Sequence, residues 1–381
     1  MHRAVMLKRA VLALTAILTL ALASCGEDRE ERSAALPAAA PAVQPVYAAY
    51  DFGRVEDGVV NLGVQPMWAP TNAITEAMRR DRILAEELSR EGLSLRQHGF
   101  FKGADLAFFL NQGQVQAGVA GEGVAIGSAS AGEVVIPILI HQGTSALIAT
   151  RPMTVRDLRG QRVGHVPGTS ASFGLMRALG SEGLKPGDVT LAPMDITEMP
   201  AALEEGRVAA FSSWEPNTTI LLNRHRGYTV IHRAEYTGYL FFRRDFVADH
   251  PRAARLILAA QLRAMGFMRA GRANLEEAAR WGLLAWEEMA QAGAGVSVGQ
   301  FAALIKSDLL DLSPTPLVLD TDLVETGRLY GVFEMLKAQG TIPSDASWDK
   351  VRKSFDKTLL LDVLAAPQVY RLGETLYTPA P

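Results

Sequence analysis

The chain is 381 residues long, 48% hydrophobic and 21% charged, with a formal net charge of -3. Such a chain buries a large core as two globular lobes or one large domain, which excludes a disordered protein. The acidic balance, deeper still once a basic N-terminal segment is set aside, argues against nucleic acid as a partner.

That segment comes first. Arg3, Lys8 and Arg9 precede an uncharged run from Ala10 to Ser24, too short and too sharply ended to span a bilayer, so residues 1–24 read as a signal peptide. Leu22-Ala23-Ser24-Cys25 resembles the bacterial lipobox, and Cys25 is the only cysteine of the sequence. A lone cysteine there suits neither a disulfide framework nor a zinc site, and it is expected to carry a lipid anchor. Residues 25–57, acidic and then rich in alanine and proline, read as a flexible linker.

Folded structure is expected from residue 58. Val59 to Gln65 reads as a strand, and Trp68-Ala69-Pro70-Thr71-Asn72 as the turn that opens a helix whose buried face carries Ile74, Ala77, Met78, Leu84 and Leu88. Leu93 to Gln97 and Val115 to Ala120 read as strands around a helix from Ala104 to Leu110. This alternation predicts a parallel sheet. Val134 to Ile140 and Ser145 to Thr150 are two β-rich pieces, and a domain crossover is expected after them.

A second α/β unit follows: a strand over Gln161 to Val166, a helix over Ala171 to Glu182, a strand over Val189 to Ala192, a helix capped by Asp195 and Glu198, and a strand over Val208 to Ser212. Pro216 opens another helix. Tyr228 to Ile231 and Tyr239 to Phe242 read as two strands, and beyond Pro251 the chain is mostly helical to about Leu364. The expected division places one lobe at 58–150 plus 235–381, with C-terminal helices, and the other at 151–234.

The most informative stretch is Gln161 to Leu179, a strand, a glycine turn and a helix start. N–H groups at Ser170 and Ala171, with the hydroxyls of Thr169 and Ser170 beside Gly168, would converge where the helix dipole favours an anion. Thr169 or Ser170 merely capping its own helix is the structural alternative. Trp68, Thr71 and Asn72 follow the first strand and Trp214 and Glu215 another, and ligands of open parallel sheets sit beyond such strand ends. Trp68 and Trp214 would close on a ligand as apolar faces. Glu122 and Glu215 could take a cationic end, alternatively standing as solvated or helix-start charges. No phosphate loop, G-x-S-x-G elbow or H-E-x-x-H zinc site occurs, and Gly121 to Gly127 misses the dinucleotide spacing by one residue. Binding without chemistry, and no cofactor or metal, is therefore expected.

The ordered pieces Glu91-Gly92-Leu93, Leu110 to Val115, Asp157 to Val163, Pro167 to Ser170, Ala202 to Ala210, Trp214-Glu215-Pro216 and Phe246 to Pro251 resemble the nitrate, sulfonate and taurine group of ABC-transporter substrate-binding proteins, the NMT1/THI5-like family. The resemblance covers roughly Val59 to Ala290. It implies an α/β, periplasmic-binding-protein-like fold, two α/β lobes with a hinge and a helical C-terminal extension. It further implies a non-enzymatic, exported, monomeric receptor that takes a small anionic or zwitterionic solute to a permease and its ATPase subunit, with the loop at Gly168 to Ala171, the first-strand loop and the tryptophan loop on the ligand. A thiamine-precursor-like or more apolar ligand, and a sensing adaptor without transport, stay open at this point. Some relatives make a thiamine pyrimidine, but the cysteine-rich segment they carry is absent.

Overall fold

The computed structural model describes residues 50, 52, 58–310 and 316–378. The signal peptide, Cys25 and nearly all of the linker lie outside the described residues. Among those described, no helix is long and apolar enough to cross a membrane.

The chain runs β1 (Val59–Val64), α1 (Thr71–Arg80), α2 (Arg82–Arg90), β2 (Ser94–Gly99), α3 (Gly103–Asn111), β3 (Ala117–Gly121), α4 (Glu122–Ala131) and β4 (Val134–Ala149). It continues through β5 (Arg162–His165), α5 (Ser170–Ser181), β6 (Thr190–Pro193), α6 (Met199–Glu204), β7 (Ala210–Ser213), α7 (Asn217–Arg224) and β8 (Thr229–Arg243). The rest is helical: α8 (Arg244–Asp249), α9 (Pro251–Arg269), α10 (Arg272–Ala290), α11 (Val298–Leu310), α12 (Arg328–Ala338), α13 (Trp348–Ser354) and α14 (Thr358–Ala365).

The helix expected after Trp68 is two helices. All five apolar residues read as its buried face are buried, yet Asp81 leaves the helical region at ψ 103° and its carboxylate accepts the N–H of Leu84, capping α2. A short acid able to bond a backbone N–H competes with helix continuation, and here it wins.

The eight described strands form one sheet in the order β2-β1-β3-β8-β4-β7-β5-β6. It is mixed rather than parallel. Strands β2, β1 and β3 are mutually parallel, as are β6, β5 and β7, while every pairing of β4 and β8 is antiparallel. The two pairs of β-rich pieces expected near residues 140 and 235 are two unbroken strands, β4 and β8, which pair from Val134↔Arg243 to Ala149↔Thr229. Strand β3 reaches only the far end of β8, and β7 only the last residues of β4. The β4–β8 ribbon is thus the covalent link between a β1–β3 half and a β5–β7 half. Its register shifts between Val135 and Ile138 and again between Leu139 and His141, irregularities that bend a strand.

One core cluster joins β1, β3, α1, α9 and α10, with Leu62, Ala73, Ile74, Ile257 and Ala279 fully buried. A smaller one under α5 gathers Leu147, Val163, Leu175 and Leu179. Each fills the apolar face that its element's periodicity predicts.

Candidate functional site

Three helices begin where strands of the two halves end. Gly103 opens α3, Gly121 precedes α4 and Thr169 precedes α5. The first N–H groups of a helix have no partner inside it, and its dipole makes that end electropositive. Between these three ends lies a cavity of about 20 Å³, lined by Gln65, Trp68, Gly103, Gly121, Gly123, Val124, Gly168, Thr169, Ser170 and Trp214. That is room for roughly one water. None of the lining residues is charged.

Glycines let the two halves meet. A Cβ on Gly123 would lie 2.8 Å from the Gly168 carbonyl oxygen and 2.4 Å from Cε2 of Phe173, and one on Gly121 would lie 3.6 Å from the Ser170 Oγ. Gly168 itself adopts φ 72°, the left-handed turn that aims the chain into α5. Polar contacts complete the closure. The Ala69 N–H donates to the Glu215 carbonyl at 3.0 Å, and the Met67 carbonyl accepts from Trp214 Nε1 and Asn217 Nδ2, both at 3.3 Å. Lys102 Nζ stands 2.5 Å from the Asp195 carboxylate across the same seam, a partly exposed pair contributing at most about 1 kcal/mol.

The expected site residues divide into two groups. Trp68, Gly168, Thr169, Ser170 and Trp214 come together around the cavity, with Ala171 buried directly behind Ser170. Both indoles are nearly buried, and Trp68 Nε1 donates to the Tyr236 hydroxyl at 2.8 Å. The Thr169 hydroxyl caps α5, accepting from the Ser172 N–H at 3.3 Å while donating to the Val166 carbonyl at 2.7 Å. The Ser170 hydroxyl has no such internal partner among the described residues.

Thr71, Asn72, Glu122 and Glu215 sit apart from the cavity lining. Thr71 Oγ1 is 3.2 Å from Nδ1 of His141, and Asn72 ties the first loop to the carbonyls of Pro66 and Gly282. Glu215 accepts from the Thr219 N–H at 3.0 Å, in the first turn of α7. Burial pushes its carboxyl above the usual range, with Thr219 and Arg233 drawing it back. The Glu122 side chain is fully buried. Its Oε2 accepts from the N–H and hydroxyl of Thr237 and from Nη1 of Arg328. Burial works against the Arg328 charge, yet the Glu122 carboxylate beside it holds the guanidinium above its ordinary value. Both acids therefore serve internal partners in this conformation.

Gln65, Gly103, Gly121, Gly123 and Val124 also line the cavity, and none of them is among the expected site residues. Gly121 and Gly123 carry a local mark, glycine at a strand end and helix start, as Gly168 does ahead of α5. Gln65 and Val124 carry no local mark.

An α/β sheet with two parallel wings, an antiparallel ribbon between them and a cavity at the seam defines the periplasmic-binding-protein class of fold. Residues 112–284 match the model of the NMT1-like family, the family that the ordered motifs resemble. No curated protein matches the chain. Among solved structures, the alkanesulfonate-binding protein SsuA from Xanthomonas axonopodis pv. citri, bound to MOPS, is 18% identical, with 80% of this chain and 99% of that one covered at a TM-score of 0.59. A putative sulfonate ABC transporter periplasmic sulfonate-binding protein SsuA from Methylobacillus flagellatus KT is 18% identical over 84% and 97%, at 0.61. The periplasmic nitrate-binding protein NrtA from Synechocystis PCC 6803 is 12% identical over 82% and 90%, at 0.59. At these identities the likeness establishes the fold.

Proposed function

We propose that the protein is an exported, lipid-anchored solute receptor of an ABC importer, taking a small anionic organic or inorganic solute, sulfonate or nitrate in class, and presenting it to a membrane permease. The observation that carries this reading is the convergence of the α3, α4 and α5 N-termini on an uncharged, glycine-lined cavity between Trp68 and Trp214. Dipoles and first-turn N–H groups favour an anion even in a net-negative protein. Sulfonate- and nitrate-binding proteins are among the similar structures, which supports the same class. Because Glu122 and Glu215 are internally engaged, an anionic head is favoured over a zwitterion.

A cavity of about 20 Å³ cannot admit an organic solute without opening. The reading therefore includes a hinge at the β4–β8 ribbon, with lobes at 58–150 plus 235–381 and at 151–234. A ligand bridging the α4 and α5 ends would select the closed form.

Two substitutions test this by calorimetry with ethanesulfonate and nitrate. Changing Thr169 and Ser170 together would confound binding with stability, because losing the Thr169 cap costs about 1 kcal/mol. Ser170→Ala alone is the cleaner change, expected to weaken binding about tenfold, as for one lost hydrogen bond to a charge, while the apo melting temperature stays put. Gly123→Ala places a methyl against the Gly168 carbonyl and is expected to hold the halves apart, weakening both probes and leaving the scattering profile open with ligand present. Wild-type protein that binds neither probe, or a Ser170→Ala variant with unchanged affinity, would discard the anion site.

A further inference from the structure

The C-terminal extension places a charged side chain, Arg328, against the residue between two glycines of the cavity wall. Glu122 stands between Gly121 and Gly123, two residues that line the cavity, and its carboxylate is wholly buried. A carboxylate in the first turn of α4 opposes the positive potential that this helix end offers an anion. Thr237 supplies two hydrogen bonds, at 3.1 and 2.9 Å, but no charge. Glu122 Oε1 has no hydrogen-bond partner among the described residues. The cation on this carboxylate is Arg328, the first residue of α12, which also donates to the Thr237 hydroxyl at 2.9 Å. The two charges are 206 positions apart in sequence.

We infer that Arg328 is a positioning and counter-charge residue for the solute site: it cancels Glu122 so that the α4 N-terminus presents net positive potential to a bound anion. This gives part of the segment beyond residue 296 a role in affinity, and it rests on the anionic-solute reading above. Removing Arg328 leaves an uncompensated buried carboxylate one residue from the cavity wall on either side. Inside a protein such a charge is screened less than at the surface, and it repels a neighbouring anion.

The test titrates wild type, Arg328→Gln, Glu122→Gln and the double variant with ethanesulfonate and nitrate, alongside hydrogen exchange of residues 328–338 in the unliganded protein. Arg328→Gln is expected to lose at least tenfold in affinity for both probes. In the double variant, affinity returns to within about threefold of wild type, although α12 stays less protected because its ion pair is gone. A double variant as weak as Arg328→Gln, with affinity following α12 protection, would make the residue a mere tether and overturn the inference. So would an Arg328→Gln protein that binds like wild type. Wild type that binds neither probe overturns both the solute reading and the inference, whereas the other failures leave the solute reading standing.

Discussion

Arg263→Met is expected to lower unfolding stability by about 3–5 kcal/mol, the cost of leaving one member of a buried ion pair alone. Arg263 lies on α9 and Asp81 at the start of α2, and both side chains are 1% exposed. Nε of Arg263 donates to Asp81 Oδ2 at 2.8 Å, and Nη2 lies 2.7 Å from the same oxygen without hydrogen-bond geometry. Nη1 donates to the Tyr370 carbonyl at 2.7 Å. The pair thus locks three distant segments. The C-terminal segment beside it bonds back across Asp81, the Arg82 N–H to the Leu376 carbonyl and the Thr378 N–H to that of Arg80. In Arg263→Met the buried Asp81 carboxylate loses its cation.

Urea denaturation at neutral pH measures the loss. The double variant Arg263→Met with Asp81→Leu should recover part of it, since two apolar groups of similar volume can replace a buried pair with little net change. Recovery falls short by about 1 kcal/mol, because Asp81 also caps α2. An Arg263→Met protein within 1 kcal/mol of wild type would mean that water reaches the pair.

The second large effect is on acid stability, through His141. This residue sits on β4 at a register shift, its ring edge-on to Trp68 at 4.5 Å and to Tyr236 at 5.5 Å. Space for the ring exists because its partner on β8 is Gly238, where a Cβ would fall 2.3 Å from His141 Cε1. Burial alone pushes its pKa down to about 3. The unfolded chain titrates near 6.5, so the fold prefers neutral imidazole.

The sign follows. His141 stabilises fully above pH 6.5, and that contribution falls as pH drops from 6.5 towards 3, by about 1.4 kcal/mol per unit and roughly 5 kcal/mol in total. Denaturation midpoints at pH 7.5, 6, 5 and 4 should therefore fall more steeply for wild type than for His141→Gln, by close to one proton. The variant starts lower at pH 7.5, having lost packing against Trp68. Parallel pH profiles, or a histidine resonance assigned to His141 that titrates near pH 6.5 in the folded protein, would refute this assignment. Since Trp68 lines the cavity and touches this ring, the same protonation is expected to loosen the cavity wall.

Local chemistry made much of the architecture readable. Ile74, Ala77, Met78, Leu84 and Leu88 repeat at helical spacing and are all buried. Gly168 and Thr169 announce a strand-to-helix turn because a left-handed residue followed by a hydroxyl cap is a short-range requirement. What spacing cannot carry is pairing. The residues of β4 and β8 read as four pieces because the less apolar stretches His141 to Thr144 and His232 to Gly238 interrupt the apolar signal, and only their mutual hydrogen bonding makes each one strand. Asp81 broke a helix that periodicity alone would continue, since its competing bond to Leu84 has no apolar signature.

By itself, the sequence determined that a strand-turn-helix unit with free N–H groups stands at Gly168 to Ala171, that tryptophans follow two other strands, and that the ordered motifs resemble the NMT1-like family whose model matches residues 112–284. Those features depend on neighbours within a few positions, where backbone sterics and capping act. Tertiary structure alone decided that α3, α4 and α5 point their ends at one cavity, that Thr71 and Asn72 brace the loop from behind, and that Glu122 answers to Arg328. A carboxylate's role is set by which charge packs against it in a low-dielectric interior, and that partner came from a helix 206 residues away.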